Sequence, residues 1–134
     1  MTKYVLHGGD TRYINFDNNS FFAEMTLGLN GKIKILLNYF ARDINEINNC
    51  AQEDQKKFMQ KNKNKNMEFE IANRNNWTEQ IKSAQIMYIR GGNTAQLVEL
   101  MNKTHDIKQL FGGKVIGGSS AGVYVLAKYY WEND

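Results

Sequence analysis

Apolar residues in this chain gather into five short runs, separated by stretches in which they recur every three or four positions. The first run, Tyr4-Val5-Leu6-His7, is stopped by Gly8-Gly9-Asp10 and reads as a buried strand ending in a Gly-rich turn. Thr11 to Asn19 is polar and irregular. Ser20 is then placed to cap a helix with Phe21, Phe22, Met25 and Leu29 on one face, ended by Gly31. Ile33, Ile35, Leu36 and Leu37 form a second strand, continuing toward Tyr39-Phe40. Asp43 opens a long helix from Ile44 to about Asn62, with Ile47, Ala51 and Phe58 inward. Met67 to Ala72 alternates, which suggests a third, more exposed strand near a sheet edge. A short helix over Trp77 to Ser83, with Asn76 as its cap, leads to a fourth strand, Gln85 to Arg90, and to Gly91-Gly92-Asn93-Thr94. Ala95, Leu97, Val98, Leu100 and Met101 give a further helical face, and a helical turn spans Ile107 to Phe111. After Gly112-Gly113, the fifth strand runs through Val115-Ile116.

Strands alternating with helices over 134 residues predict one α/β domain, a doubly wound parallel sheet with helices on both faces. In such sheets ligands collect beyond the carboxyl ends of the strands, where the strand order reverses. Three Gly-rich turns follow strand ends: Gly8-Gly9, Gly91-Gly92 and Gly118 to Gly122. With strand four beside strand one, and strand five beside strand four, all three share one rim.

The last of these turns carries the most chemistry. Gly118-Ser119-Ser120-Ala121-Gly122 fits G-x-S-x-G, the pattern of a nucleophile at a sharp strand-to-helix corner. Side chains two residues before and after Ser120 would collide across such a bend, and glycines remove them. The corner also aims the first free helical N–H groups, starting with that of Ala121, at a developing oxyanion. The same letters also suit a Gly/Ser loop in which Ser119 or Ser120 merely caps a helix. Gly92 is placed to offer a second oxyanion donor, while Asn93 or Thr94 suits a helix cap.

Composition adds limits. Apolar residues are 42% and charged residues 23%, as in an ordinary globular domain, and the net charge is +3. The excess comes largely from lysines between Lys56 and Lys65, read as a solvated helix end; the one aromatic among them, Phe58, is on the inner face, so they offer no stacking platform and no nucleic-acid partner is expected. Cys50 stands alone, which excludes an internal disulfide or a cysteine-based zinc site. No apolar run reaches the length of a membrane span, and the start lacks the long apolar region of a signal peptide, so no membrane association and a cytoplasmic location are the default expectation.

Tyr4 to Gly9, Tyr88-Ile89-Arg90-Gly91-Gly92-Asn93-Thr94 with Gln96-Leu97, and Gly117 to Gly122 together resemble the peptidase E and cyanophycinase family of serine peptidases. The resemblance covers nearly the whole chain in the right order. It implies a fold related to class I glutamine amidotransferase domains, with Ser120 as nucleophile and an oxyanion hole from the backbone at Gly92 and Ala121. It also implies hydrolysis of short peptides with an N-terminal aspartate, or of an aspartate-arginine polymer, with no metal or organic cofactor. His7, Gly8, Gly9, Gly91, Asn93, Thr94 and Ser119 are the candidates for the substrate pocket.

A serine nucleophile needs a base and an acid to orient it. Both histidines precede Ser120: His7 at the end of strand one, on the rim, and His105 in a polar segment directed away from it. After Ser120 the only acids are Glu132 and Asp134. Members of the family are longer, with base and acid downstream of the nucleophile helix. The chain therefore reads as an amino-terminal portion, as one completed by another chain, or as a protein that has lost hydrolysis. Truncation would leave a sheet edge and apolar helix faces uncovered, which predicts oligomerisation or poor solubility for an isolated fragment, with a homo-oligomer or a partner chain completing the fold. Two other functions stay open: a binding module holding a small anion on the Gly-rich rim, and an esterase or acyltransferase using the same serine.

Overall fold

The computed structural model describes residues 1–11, 15–60 and 62–131, without the side chains of Phe16, Asp17 and residues 128–131. Five strands, β1 (Lys3–His7), β2 (Lys32–Asn38), β3 (Asn66–Ile71), β4 (Ile86–Ile89) and β5 (Val115–Ser119), form one sheet in the order β1-β5-β4-β2-β3. Every pairing is parallel. The helices are α1 (Phe16–Thr26), α2 (Ile47–Gln60), α3 (Trp77–Ser83), α4 (Thr94–Asn102), α5 (Ile107–Phe111) and α6 (Ala121–Trp131).

The direction of travel through the sheet explains the two layers. From β1 the chain moves across to β2 and out to β3, then turns back through β4 to β5. Right-handed crossovers put the connecting helix on a face set by that direction, so the reversal at β3 moves the helices to the other side. Phe21, Phe22 and Met25 of α1 and Cys50, Ala51 and Phe58 of α2 pack with Ile35, Leu37, Ile86 and Tyr88. Residues of α3 to α6 pack with the alternate positions Leu36, Met87, Ile89 and Ile116. All four β4 residues are buried, as expected of a strand covered on both faces.

One expectation about order is overturned. Strand four is not beside strand one: β5 lies between them, with His7 in register with Ser119. Periodicity reports which face of a strand is buried and says nothing of which strand lies alongside. The three Gly-rich turns still fall at one end, because the sheet is wholly parallel. β3 is an edge strand as its alternation predicts, and the pairs Lys32–Glu68 and Lys34–Glu70 charge that edge. On the opposite edge Leu6 of β1 is 53% exposed, and Tyr124 of α6 is also exposed.

One helix start differs from expectation. α1 begins four residues before Ser20, with Asn15 as cap: its side chain accepts from Asn18 N–H at 2.9 Å. Both residue types cap well, and the apolar spacing that decides between them starts only at Phe21. Arg12, Tyr13 and Ile14 of the polar stretch before α1 lie outside the described residues. Asp43 does open the next helix, through a short 3₁₀ turn (Ile44–Glu46) ahead of α2, and its N–H donates to Glu46 Oε2 at 3.3 Å.

The basic segment is not simply a solvated helix end. Lys57 is buried against the Phe22 ring, and Lys65 reaches back to the Thr26 carbonyl oxygen at 2.6 Å. Burial lowers the Lys57 pKa, partly countered by Asp54, and its Nζ has no hydrogen-bond partner among the described residues. Cys50 is a buried free thiol, pushed up by burial, in keeping with an unreactive side chain.

Candidate active site

Ser120 stands between β5 and α6 with φ of 52°, one of three described non-glycine residues with positive φ. A serine held there is under backbone strain, so the surroundings must impose it. They do so from both sides: Ser120 N–H donates to His7 O at 3.0 Å, and Tyr124 N–H of α6 donates to Ser120 O at 3.2 Å. The side chain is exposed.

The flanking glycines are required sterically, though not in the same way. A Cβ at Gly118 would come within 2.9 Å of Gly122 C, directly across the bend. A Cβ at Gly122 would instead strike the Ile89 carbonyl oxygen of β4 and stand 3.2 Å from Ile89 Cβ. Gly122 thus lets α6 lie close on the neighbouring strand. Gly122→Ala should cost about 2 kcal/mol in urea unfolding, an overpacking penalty of about 3 less about 1 gained in helix propensity. Unchanged stability would mean that α6 does not sit this close to β4.

Gly91 brings the second loop to the serine. A Cβ there would lie 2.7 Å from Ser120 Cβ, 2.9 Å from Ser119 O and 3.4 Å from Ala121 N. Gly92 has φ of 156°, and a Cβ on it would strike the Ala41 carbonyl oxygen. Asn93 caps α4 as its position suggests, accepting from Gln96 N–H at 3.0 Å.

These loops line a cleft of about 300 Å³ at the carboxyl ends of β1, β5, β4 and β2, bordered by Asp10, Thr11, Arg42, Arg90, Gly91, Gly92, Ser119 and Ser120. Four of the sequence candidates, Ser120, Ser119, Gly91 and Gly92, are among them. His7, Gly8, Gly9, Asn93, Thr94 and Ala121 are not lining residues, although a Cβ on Gly9 would be only 3.4 Å from Ser120 Cβ. His7 is occupied by its own turn: Nδ1 accepts from Gly9 N–H at 3.0 Å, and the ring lies 5.1 Å from that of Phe21. His105 is exposed beside Lys114, at the other end of the sheet. Glu132 and Asp134 lie outside the described residues.

The two neighbouring serines have different surroundings. Ser119 is buried; its Oγ accepts from Gly91 N–H at 3.2 Å and shares a 3.0 Å hydrogen bond with Tyr88 OH, itself 3.4 Å from Thr11 Oγ1. Burial pushes the Tyr88 phenol well above its ordinary pKa, so it keeps its proton for this chain of bonds. Ser119 is therefore a strut between the β4 and β5 loops.

Sequence reasoning did not find Asp10, Thr11, Arg42 and Arg90. Arg90 is buried and anchors the start of the Gly91-Gly92 loop to α2, with Glu53 Oε2 at 2.8 Å and Asp54 Oδ2 at 3.3 Å. Asp54 also accepts from Tyr39 OH at 2.8 Å. Burial pushes the Asp54 carboxyl above its usual range against the pull of Arg90 and Tyr39. At Glu53 burial acts upward too, but the Arg90 hydrogen bond and charge outweigh it and hold that carboxyl low. A signal was available for Asp54 and Lys57: they share the inner face of α2 with Cys50, Ala51 and Phe58 at helical spacing.

A wholly parallel α/β sheet, with its cleft between loops at the carboxyl ends of four strands, defines the class of protein. The family model for Peptidase family S51 matches residues 40–134, and the chain belongs to that family. Two solved structures share the fold. One is a Listeria monocytogenes EGD-e protein named provisionally as a peptidase E, at TM-score 0.65 and 18% identity over 91% of this chain and 60% of that one. The other is a peptidase from an acI-B1 Actinobacterium, at TM-score 0.65 and 17% identity over 96% of this chain and 58% of that one. This chain thus spans about three fifths of their length. No curated protein matches it significantly. No described helix is long and apolar enough to cross a membrane.

Proposed function

We propose that this chain carries the nucleophile and oxyanion-binding part of a serine peptidase acting on short peptides with an N-terminal aspartate. Ser120 Oγ attacks the peptide carbonyl as its proton passes to a base, and the carbonyl oxygen becomes an oxyanion held by Gly92 and Ala121 N–H. Collapse breaks the C–N bond, the amine leaves with the proton, and water releases the acyl group from Ser120. The observation that carries this reading is an exposed serine at positive φ, with the Gly91-Gly92 loop packed against both it and the first amide of α6. The base comes from outside the described residues, since His7 Nδ1 already serves Gly9. The β1 edge of the sheet, with Leu6 exposed, is where a further segment of chain or a second copy would pack.

Treating the protein with a fluorophosphonate and mapping the adduct by mass spectrometry tests this directly. An adduct on Ser120, with faster cleavage of Asp-Leu than of Ala-Leu, is the expected result. Labelling without dipeptide cleavage would point to an esterase or acyltransferase. No adduct, together with calorimetric binding of aspartate or phosphate, would make the rim a binding site and end the peptidase reading.

A further inference from the structure

The Gly91-Gly92 loop is tied down around one amide. Gly91 N–H donates to Ser119 Oγ at 3.2 Å, and Gly91 O accepts from Arg42 Nε at 2.7 Å. Beyond Gly92, Asn93 N–H donates to Ala41 O at 2.7 Å. Gln96 Nε2 fastens the β2 loop that bears Arg42, donating to Phe40 O at 2.9 Å. Among the described residues, Gly92 N–H alone in this stretch has no such partner.

The carbonyl and N–H of one trans peptide point in opposite directions, and no described peptide is cis. A Gly-Gly peptide has few side-chain constraints on its rotation, so its direction must be set by what grips it. Arg42 grips the oxygen. We infer that Arg42 is a positioning residue: its Nε–H holds the Gly91-Gly92 peptide so that Gly92 N–H faces the forming oxyanion. The inference rests on the serine-hydrolase reading of the cleft. Arg42 also polarises that amide, because a charged donor on the carbonyl makes the attached N–H a stronger donor. Arg90 is unavailable for this, its guanidinium being engaged by Glu53 and Asp54.

Two variants of near-equal length separate positioning from charge. Arg42→Gln keeps an N–H donor at the same number of bonds from Cα as Nε but loses the charge. Arg42→Met keeps the length and loses the donor. The readouts are the orientation of the Gly91-Gly92 peptide in crystals of each variant and the rate of Ser120 labelling by a fluorophosphonate. Loss of an oxyanion donor slows acyl-transfer chemistry by about 10²–10³-fold, so Arg42→Met should label at least about tenfold slower, with its peptide turned over. Arg42→Gln should stay within about threefold of wild type, with the peptide in place. Equal losses in both variants would assign Arg42 a charge role and overturn the inference, as would an unmoved peptide in Arg42→Met. If the wild type takes no probe, the hydrolase reading fails alone, and peptide orientation in the two crystals still decides what Arg42 holds.

Discussion

Arg90→Met should cost about 3–5 kcal/mol of unfolding free energy at pH 7, the range for removing one partner of a buried ion pair. The loss arises because Asp54, with no exposed surface, loses its counterion, and holding an unpaired buried charge or taking up a proton both cost free energy at neutral pH. Tyr39 OH still donates to it, and Lys57 on the same helix face supplies a weak positive field. Neither replaces a guanidinium. The Glu53 contact adds little, since that side chain is 48% exposed and its pair is screened by solvent.

The pH dependence gives this prediction a second arm. Asp54 has a folded pKa above its unfolded value, so whatever it contributes is present below the unfolded pKa and lost as pH rises through the folded one. Removing Arg90 raises that folded pKa further and enlarges the loss at neutral pH. Glu53 behaves in the opposite sense in the wild type: its folded pKa is lowered, and its contribution above the unfolded pKa disappears as pH falls. Both effects make the gap between wild type and Arg90→Met narrow toward pH 4. Urea titrations at pH 7 and pH 4 measure it, and a gap that stays under about 1 kcal/mol at pH 7, or widens in acid, contradicts the buried-pair account.

This ion-pair cluster marks the boundary of what could be read from the chain itself. The strands, the exposure of β3 and the cap at Asn93 follow from local pattern, because hydrophobic period and capping chemistry act within a few residues. The bend at Ser120 was legible for the same reason: two glycines and a serine within five positions specify a tight corner. Arg90 meets Asp54 across 36 positions and Arg42 meets Gly91 across 49, and no periodicity encodes such meetings. The insertion of β5 between β1 and β4 is also a tertiary outcome, and it turned His7 into the immediate neighbour of Ser119. His7 looked like a pocket residue because it ends a rim strand, but the turn after it claims its ring nitrogen.

The sharpest contrast lies between adjacent residues of the same type. If the cleft hydrolyses as proposed, Ser120→Ala should abolish fluorophosphonate labelling and lower any peptide hydrolysis by at least about 10³-fold, because removing the proposed nucleophile removes the covalent route altogether. It should leave stability within about 0.5 kcal/mol, since the side chain is exposed and the bend is held by backbone bonds to His7 and Tyr124. Ser119→Ala should do the reverse to stability, costing about 1–3 kcal/mol by leaving the buried Gly91 N–H and Tyr88 OH short of a partner. Labelling would persist at Ser120 in that variant, slowed to the extent that Gly91 drifts from the serine. Mass spectrometry of the adduct and urea unfolding of both variants decide the matter. An adduct that survives in Ser120→Ala would move the nucleophile elsewhere, and with it the meaning of the strained φ at that bend.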